Sequence, residues 1–232
     1  NMANSDTTAY KKEGSTSQSF DSVYGIKIND SSVNYIHQNI GRMSLGVKVG
    51  ETYTDYGDGN LEETEQLYDM ALSGKGFFAI SYADRNGNES VRYTRDGNFT
   101  VNSQGVLVTK DGDFVLAEDG GLINIPEGVK ISVDESGRIT ADGQEIAQLQ
   151  LVDFEDYNYL EKFGENMYIA IDGATTKDAQ CKVYQGYLEA SNVNVVTEMV
   201  DMITITRDYE SNQKVIQTID STLEKSVALG RI

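Results

Sequence analysis

The 232 residues suffice for one or two domains, and with 39% of them apolar or aromatic the chain can bury a core. Nineteen Lys and Arg against 37 Asp and Glu give a formal net charge of -18, and so acidic a surface repels nucleic-acid phosphates and anionic lipid. One cysteine (Cys181), one histidine (His37) and no long apolar run exclude an internal disulfide, a multi-histidine metal site and a transmembrane helix.

Residues 1–42 are rich in Ser, Thr and Asn, with thin apolar content and no helical period, so an extended or weakly ordered segment is expected. No charged-then-apolar leader opens the chain, so no cleavable secretory signal is expected. Residues 43–190 carry short β-prone runs punctuated by glycine. The turn signals are Asn86-Gly87, Asp96-Gly97, Asp111-Gly112, Asp119-Gly120-Gly121, Ser136-Gly137, Asp142-Gly143 and Asp172-Gly173. Such pairs tolerate the positive φ that tight hairpins require. Gly76-Phe77-Phe78-Ala79-Ile80 reads as a central strand, and the region as a mainly β domain of short antiparallel strands.

In residues 191–232 the period changes to threes and fours: Val195, Met199, Met202, Thr206, Tyr209, Gln213, Ile216, Asp220, Leu223 and Val227. This spacing predicts a long C-terminal α-helix with a partial coiled-coil seam, apolar at Val195, Met202, Tyr209, Ile216 and Leu223 and decaying on the alternate positions. Asn192 or Asn194 can cap its start, Glu198 suits the positive N-terminal end, and Gly230 follows its last periodic residue. Packing as a core helix on its own sheet is one reading. Length and the half-polar second seam favour packing against helices of other chains.

Enzyme templates fail. Gly74-Lys75 lacks phosphate-loop spacing, and Gly57-Asp58-Gly59 lacks the third glycine of a dinucleotide fingerprint. Asp111-Gly112-Asp113 and Asp55 to Asn60 resemble calcium-loop fragments, but Leu122 and Gln66 stand where the ligating Glu belongs. Cys181 is expected to be free and half-buried, and His37 a surface or interface polar residue. The acidic run Glu51, Asp55, Asp58, Glu62, Glu63, Glu65 and Asp69 reads as a solvated face. No catalytic, cofactor or metal residue is assigned.

Several stretches together resemble the bacterial flagellar axial proteins, the family of rod and hook subunits. Ala3-Asn4, Thr7, Tyr10 and Lys11 are similar to the family's rod signature, with Ala9 where glycine is usual, a change expected to stiffen that turn. Gly59 to Thr64, Asp69 to Phe78, Tyr93 to Phe99, Gly105 to Thr109 and Gly186 to Val196 follow in the family's order. Gly186 to Asn194 is most similar to distal-rod members, whereas Tyr209 to Ile216 departs from them and leaves proximal-rod members as second choice. The resemblance implies a structural subunit of the basal-body rod, exported by the flagellar type III apparatus and assembling with copies of itself and with neighbouring rod and hook proteins. It implies a further N-terminal helix before the signature. It also places the β-domain outside and the terminal helices in an inner bundle, with Asn4, Thr7, Tyr10, Val195, Met199, Met202, Tyr209, Ile216, Leu223 and Val227 as assembly residues. No nucleic acid, cofactor or small-molecule substrate is expected. The rival reading is a surface- or carbohydrate-binding β-domain on an oligomerising helical stalk.

Overall fold

The computed structural model describes residues 1–27, 38–84, 89–126 and 128–229, so His37, the Asn86-Gly87 turn and Gly230 lie outside the described residues. The chain divides into two compact units, one of Asn1–Lys11 with Gly57–Ile232 and one of Lys12–Tyr56. These limits differ from the sequence divisions at 42 and 190, because strand pairing joins residues on either side of position 43.

In the smaller unit β1 (Glu13–Ser19), β2 (Val23–Lys27), β3 (Gln38–Met43) and β4 (Val47–Thr54) form two antiparallel ribbons, β1 with β4 and β2 with β3. Gly14 lies opposite Tyr53, and a Cβ there would sit 2.4 Å from the tyrosine ring. Val47 and Val49 stay 66% and 68% exposed on one face of the ribbon, and none of the side chains at positions 12–23 and 41–56 is buried.

The larger unit holds β5 (Leu61–Glu63), β6 (Met70–Lys75), β7 (Phe77–Ala83) and β8 (Glu89–Thr94). After them come β9 (Phe99–Val101), β10 (Leu107–Thr109), β11 (Phe114–Val115), β12 (Ile131–Val133), β13 (Arg138–Ala141) and β14 (Gln144–Gln148). The remaining strands are β15 (Leu151–Phe154), β16 (Leu160–Phe163), β17 (Met167–Ala170), β18 (Thr176–Asp178), β19 (Gln180–Gln185) and β20 (Tyr187–Glu189), and α1 (Val195–Leu229) closes the described chain. The main sheet runs β16-β17-β8-β7-β11-β10-β9, with β15 pairing both β7 and β18. The expected central strand is β7: Phe77, Phe78, Ala79 and Ile80 are all buried in succession, which requires cover on both faces. On one face Phe78 packs into Met70, Leu72, Phe99, Leu107, Ile123, Ile139 and Val183. On the other Phe77 meets Phe154, Tyr157 and Tyr168 edge-on. Each such ring contributes about 2 kcal/mol or more by leaving water.

Most expected turns are present. Gly112, Gly120, Gly137 and Gly143 take positive φ between neighbouring strands or bridges. Asp96-Gly97 differs. It joins β8 to β9, which do not pair, and Gly97 instead approaches β6 so closely that a Cβ would lie 1.6 Å from the Met70 carbonyl oxygen. Asp172-Gly173 likewise links β17 to β18, strands that pair elsewhere.

Candidate functional site at the root of the terminal helix

The expected helix is one continuous element, Val195–Leu229, with no buried residue. Asn194 caps it, its Oδ1 accepting from the amide of Thr197 at 3.1 Å. The core-helix reading is overturned: thirteen large apolar side chains of α1 are exposed, from Val196 to Leu229. Of the seam, Val195 is half-buried, while Met199, Met202, Tyr209, Ile216, Leu223 and Val227 are 46% to 70% exposed. A further correction concerns width. Val196, Val200 and Ile203 form a second apolar row, at i, i+4 and i+7, and Val215 with Ile219 continues apolar character off the seam. A helix apolar on several sides asks for cover from several neighbours, not from one coiled-coil partner. Four of its hydroxyls are already satisfied, since Thr204, Thr206, Thr218 and Thr222 each donate to the carbonyl four residues earlier at 2.8 Å.

The root of α1 is tied to the β-domain by a buried polar cluster. Glu189, at the end of β20, accepts from Lys11 Nζ at 2.6 Å and from the amide of Gly59 at 2.8 Å on Oε1, and from Arg95 Nε at 2.9 Å on Oε2. Lys11 and Glu189 side chains are 0% exposed and Arg95 is 3%. Lys11 also donates to the Gly57 carbonyl at 2.7 Å. Arg95 reaches the carbonyls of Gly74, Gly76 and Leu72 and, at 3.0 Å, the carboxylate of Asp58. Two cations thus face one fully buried and one half-exposed carboxylate, and the charges balance. Burial holds the Lys11 ammonium below its usual range, with Arg95 acting the same way and Glu189 opposing. Gly59 is required here: a Cβ would lie 1.9 Å from the Ala190 carbonyl oxygen.

The N-terminal signature closes on this cluster. Its backbone turns successively through Asn4 N to Asn1 O, Thr7 N to Asn4 O and Tyr10 N to Thr7 O. Asn4 and Thr7 are half-buried, but Tyr10, expected at an assembly surface, is 3% exposed and braces its own unit. Its hydroxyl donates to Asn1 Oδ1 at 3.4 Å, and Lys162 Nζ lies 4.0 Å from its ring centroid. Sequence reading missed Lys11, Arg95 and Glu189 as a unit. Only Glu189 carried a local signal, a lone charge between Leu188 and Ala190, since Lys11 is followed by Lys12 and Glu13 and Arg95 by Asp96. Two members of the supposed solvated acidic face also depart from it: Asp58 pairs with Arg95, and Asp69 is 5% exposed and accepts from Thr64 at 2.6 Å. Cys181 is free and half-buried as expected, and burial raises its thiol pKa. Among the described residues no group of three His, Cys, Asp or Glu could hold a metal ion, and no helix is long and apolar enough to cross a membrane.

Residues 184–229 match the family described as flagellar basal body rod FlgEFG protein C-terminal, and residues 71–141 match the flagellar hook protein FlgE/F/G D1 domain. The flagellar basal-body rod protein FlgG of Caulobacter vibrioides is 33% identical over 99% of this chain and 90% of its own length. That of Buchnera aphidicola from Schizaphis graminum is 37% identical over 79% of this chain and 73% of its own length. The rod protein FlgF of Caulobacter vibrioides is 34% identical over 97% and 86%. The chain belongs to the flagellar basal-body rod protein family, most like FlgG, and is a structural subunit of the bacterial flagellar rod.

Proposed function

We propose that the chain polymerises into the axial shaft of the rod by burying α1 among helices of neighbouring subunits. The observation that carries this is a 35-residue helix of which no residue is buried by its own domain and on which thirteen large apolar side chains face water. Burying side chains that are half exposed or more is worth about 1 to 2 kcal/mol each, so a surrounded helix gains on the order of 10 kcal/mol gross. Met199, Met202, Tyr209, Ile216, Leu223 and Val227 are the contact residues, with Val196, Val200 and Ile203 on a second side and Asn4 and Thr7 beside the root. Contacts of this kind that do not close into a ring build a helical filament. The partners are copies of the chain and adjoining rod and hook subunits, delivered by the flagellar export apparatus. No catalytic step is assigned.

Four main-sheet aromatics, Phe77, Phe78, Phe154 and Tyr168, are spent inside the fold, and the partly exposed pair Tyr82 and Phe163 stacks on Arg92, which supports this reading over a glycan-binding module. Electron microscopy of the full-length protein at high concentration tests it. Filaments of helical symmetry are expected, and a protein that stays monomeric at every concentration and ionic strength overturns it.

A further inference from the structure

We propose that the link between the β-domain and α1 is a splinted, stiff joint that fixes the angle at which the helix leaves, with Glu189 as its positioning residue. The inference rests on the chain being a rod subunit only for its use, since a shaft that carries load needs its helix and its β-domain to turn together.

Residues 190–194 form neither helix nor strand. Five residues of single chain hold roughly ten soft dihedrals, and alone they would act as a hinge. Here two segments run beside them. On one side the Ala9 amide donates to the Glu189 carbonyl at 2.7 Å and the Asn192 amide to the Tyr10 carbonyl at 3.3 Å. On the other the Ala190 amide donates to the Asn60 carbonyl at 2.8 Å, and Asn192 Nδ2 to the Gly57 carbonyl at 3.1 Å. Lys11 ties the two splints together through Gly57, and Glu189 ties both to Arg95 and so to the carbonyls of β6. Beyond the linker Asn1 Nδ2 reaches Glu198 in the first turn of α1 at 3.1 Å.

Buried charge is an expensive way to hold a fold and adds little net stability over an apolar replacement, but it fixes geometry when every donor is satisfied. Glu189 presents two oxygens to three donors from three separate stretches of chain, a task no apolar side chain performs.

The test places spin labels at the exposed positions Glu118, on the β-domain, and Asn212, on α1, in a Cys181→Ala background, and reads the distance distribution by pulsed dipolar spectroscopy. The double variant Lys11→Met, Glu189→Leu removes the central tie while leaving Arg95 its carbonyl and Asp58 partners. Its distribution should broaden about twofold against the parent, with near-ultraviolet dichroism showing the β-domain still packed. An unchanged width in the folded double variant overturns the joint. If that variant fails to fold, Lys11→Met alone, which leaves Glu189 on Arg95 and Gly59, must still broaden the distribution, and a parental width there overturns it equally. The readout needs no polymer, so failure of the joint and failure of the rod assembly are told apart by the motility of helix variants.

Discussion

Glu189 and Lys11 lie 178 positions apart and meet at 2.6 Å with neither side chain exposed. Each is affordable only because of the other and of Arg95: a buried carboxylate or ammonium left alone costs several kcal/mol. Glu189→Gln keeps the shape and removes the charge, which leaves Lys11 without its anion. A loss of about 3 to 5 kcal/mol is expected. Urea unfolding followed at β-domain tyrosines measures it, and a loss below about 1 kcal/mol would mean that water or rearrangement replaces the pair.

Ala9 offers a stabilising change. It sits at φ 56, fully buried, in a region that costs a non-glycine residue about 1 kcal/mol. Ala9→Gly should raise stability by about 0.5 to 1 kcal/mol. Ala9→Val should lower it, because a β-branched side chain worsens both the dihedral and the packing. Thermal unfolding of the three proteins gives the order, and a parent more stable than the glycine variant contradicts the strain.

Glycine positions separate into two classes. At Gly59 and Gly97 an added Cβ would fall 1.9 Å and 1.6 Å from carbonyl oxygens of Ala190 and Met70, which are backbone and cannot step aside. Gly112 has φ +95 but nothing within 4 Å of the same atom. Alanine at Gly59 or Gly97 should therefore cost about 3 kcal/mol or more, and alanine at Gly112 about 1 kcal/mol for its dihedral alone. Equal costs at all three sites would refute the close-approach argument.

Local signals in the chain were readable where one physical cause dominates. Asp142-Gly143 turns with φ of 50 and +81 as the pair demands, and Asn194 caps the helix that the heptad spacing marks. The sheet core was visible as the Phe77 to Ile80 run. What stayed hidden depends on contacts between distant positions. Asp96-Gly97 looks like a hairpin turn in sequence, yet its glycine serves the approach of a strand that ends 22 residues earlier at Lys75. The resemblance puts Tyr10 among the assembly residues, and nothing local announces that Lys162 lies over its ring. The second apolar row of α1, Val196, Val200 and Ile203, is legible in the sequence at i, i+4 and i+7, but a single heptad seam does not include it.

Asp153 predicts an acid-dependent term. Burial works against its charge, but hydrogen bonds from Tyr157, Lys177 and the Phe154 amide outweigh it and hold the carboxyl below its ordinary 3.8. A carboxylate with a depressed folded pKa contributes stability that is complete above 3.8 and is lost as pH falls through the folded value. Asp153→Asn should thus destabilise at neutral pH and approach the parent at strongly acid pH. Tyr157 titrates on the other side: burial and the Asp153 charge raise its pKa, so its contribution is present below 10.0 and lost as pH rises through the folded value. Stability curves of parent and Asp153→Asn that remain parallel down to pH about 2 would dispose of the acid-side argument.

Met202 and Ile216 carry the assembly prediction. They lie two heptads apart on the seam, 52% and 60% exposed, and neither touches the core of the β-domain. Replacing both by Asp in the full-length protein leaves the monomer folded, because the new carboxylates stay in water. In a packed bundle each would lose its hydration without gaining a cation, at several kcal/mol per site before relaxation. Every subunit of a filament repeats that penalty, so motility should vanish while the circular dichroism and melting of the purified variant match the parent. Glu62→Gln with Glu63→Gln is the control, since both side chains are exposed on β5 and should leave swimming unchanged. The measurement is swimming in a strain that lacks its own copy of the gene. Parental motility from Met202→Asp, Ile216→Asp would remove α1 from the assembly interface, and lost motility from the glutamine pair would move a function onto the acidic face of β5.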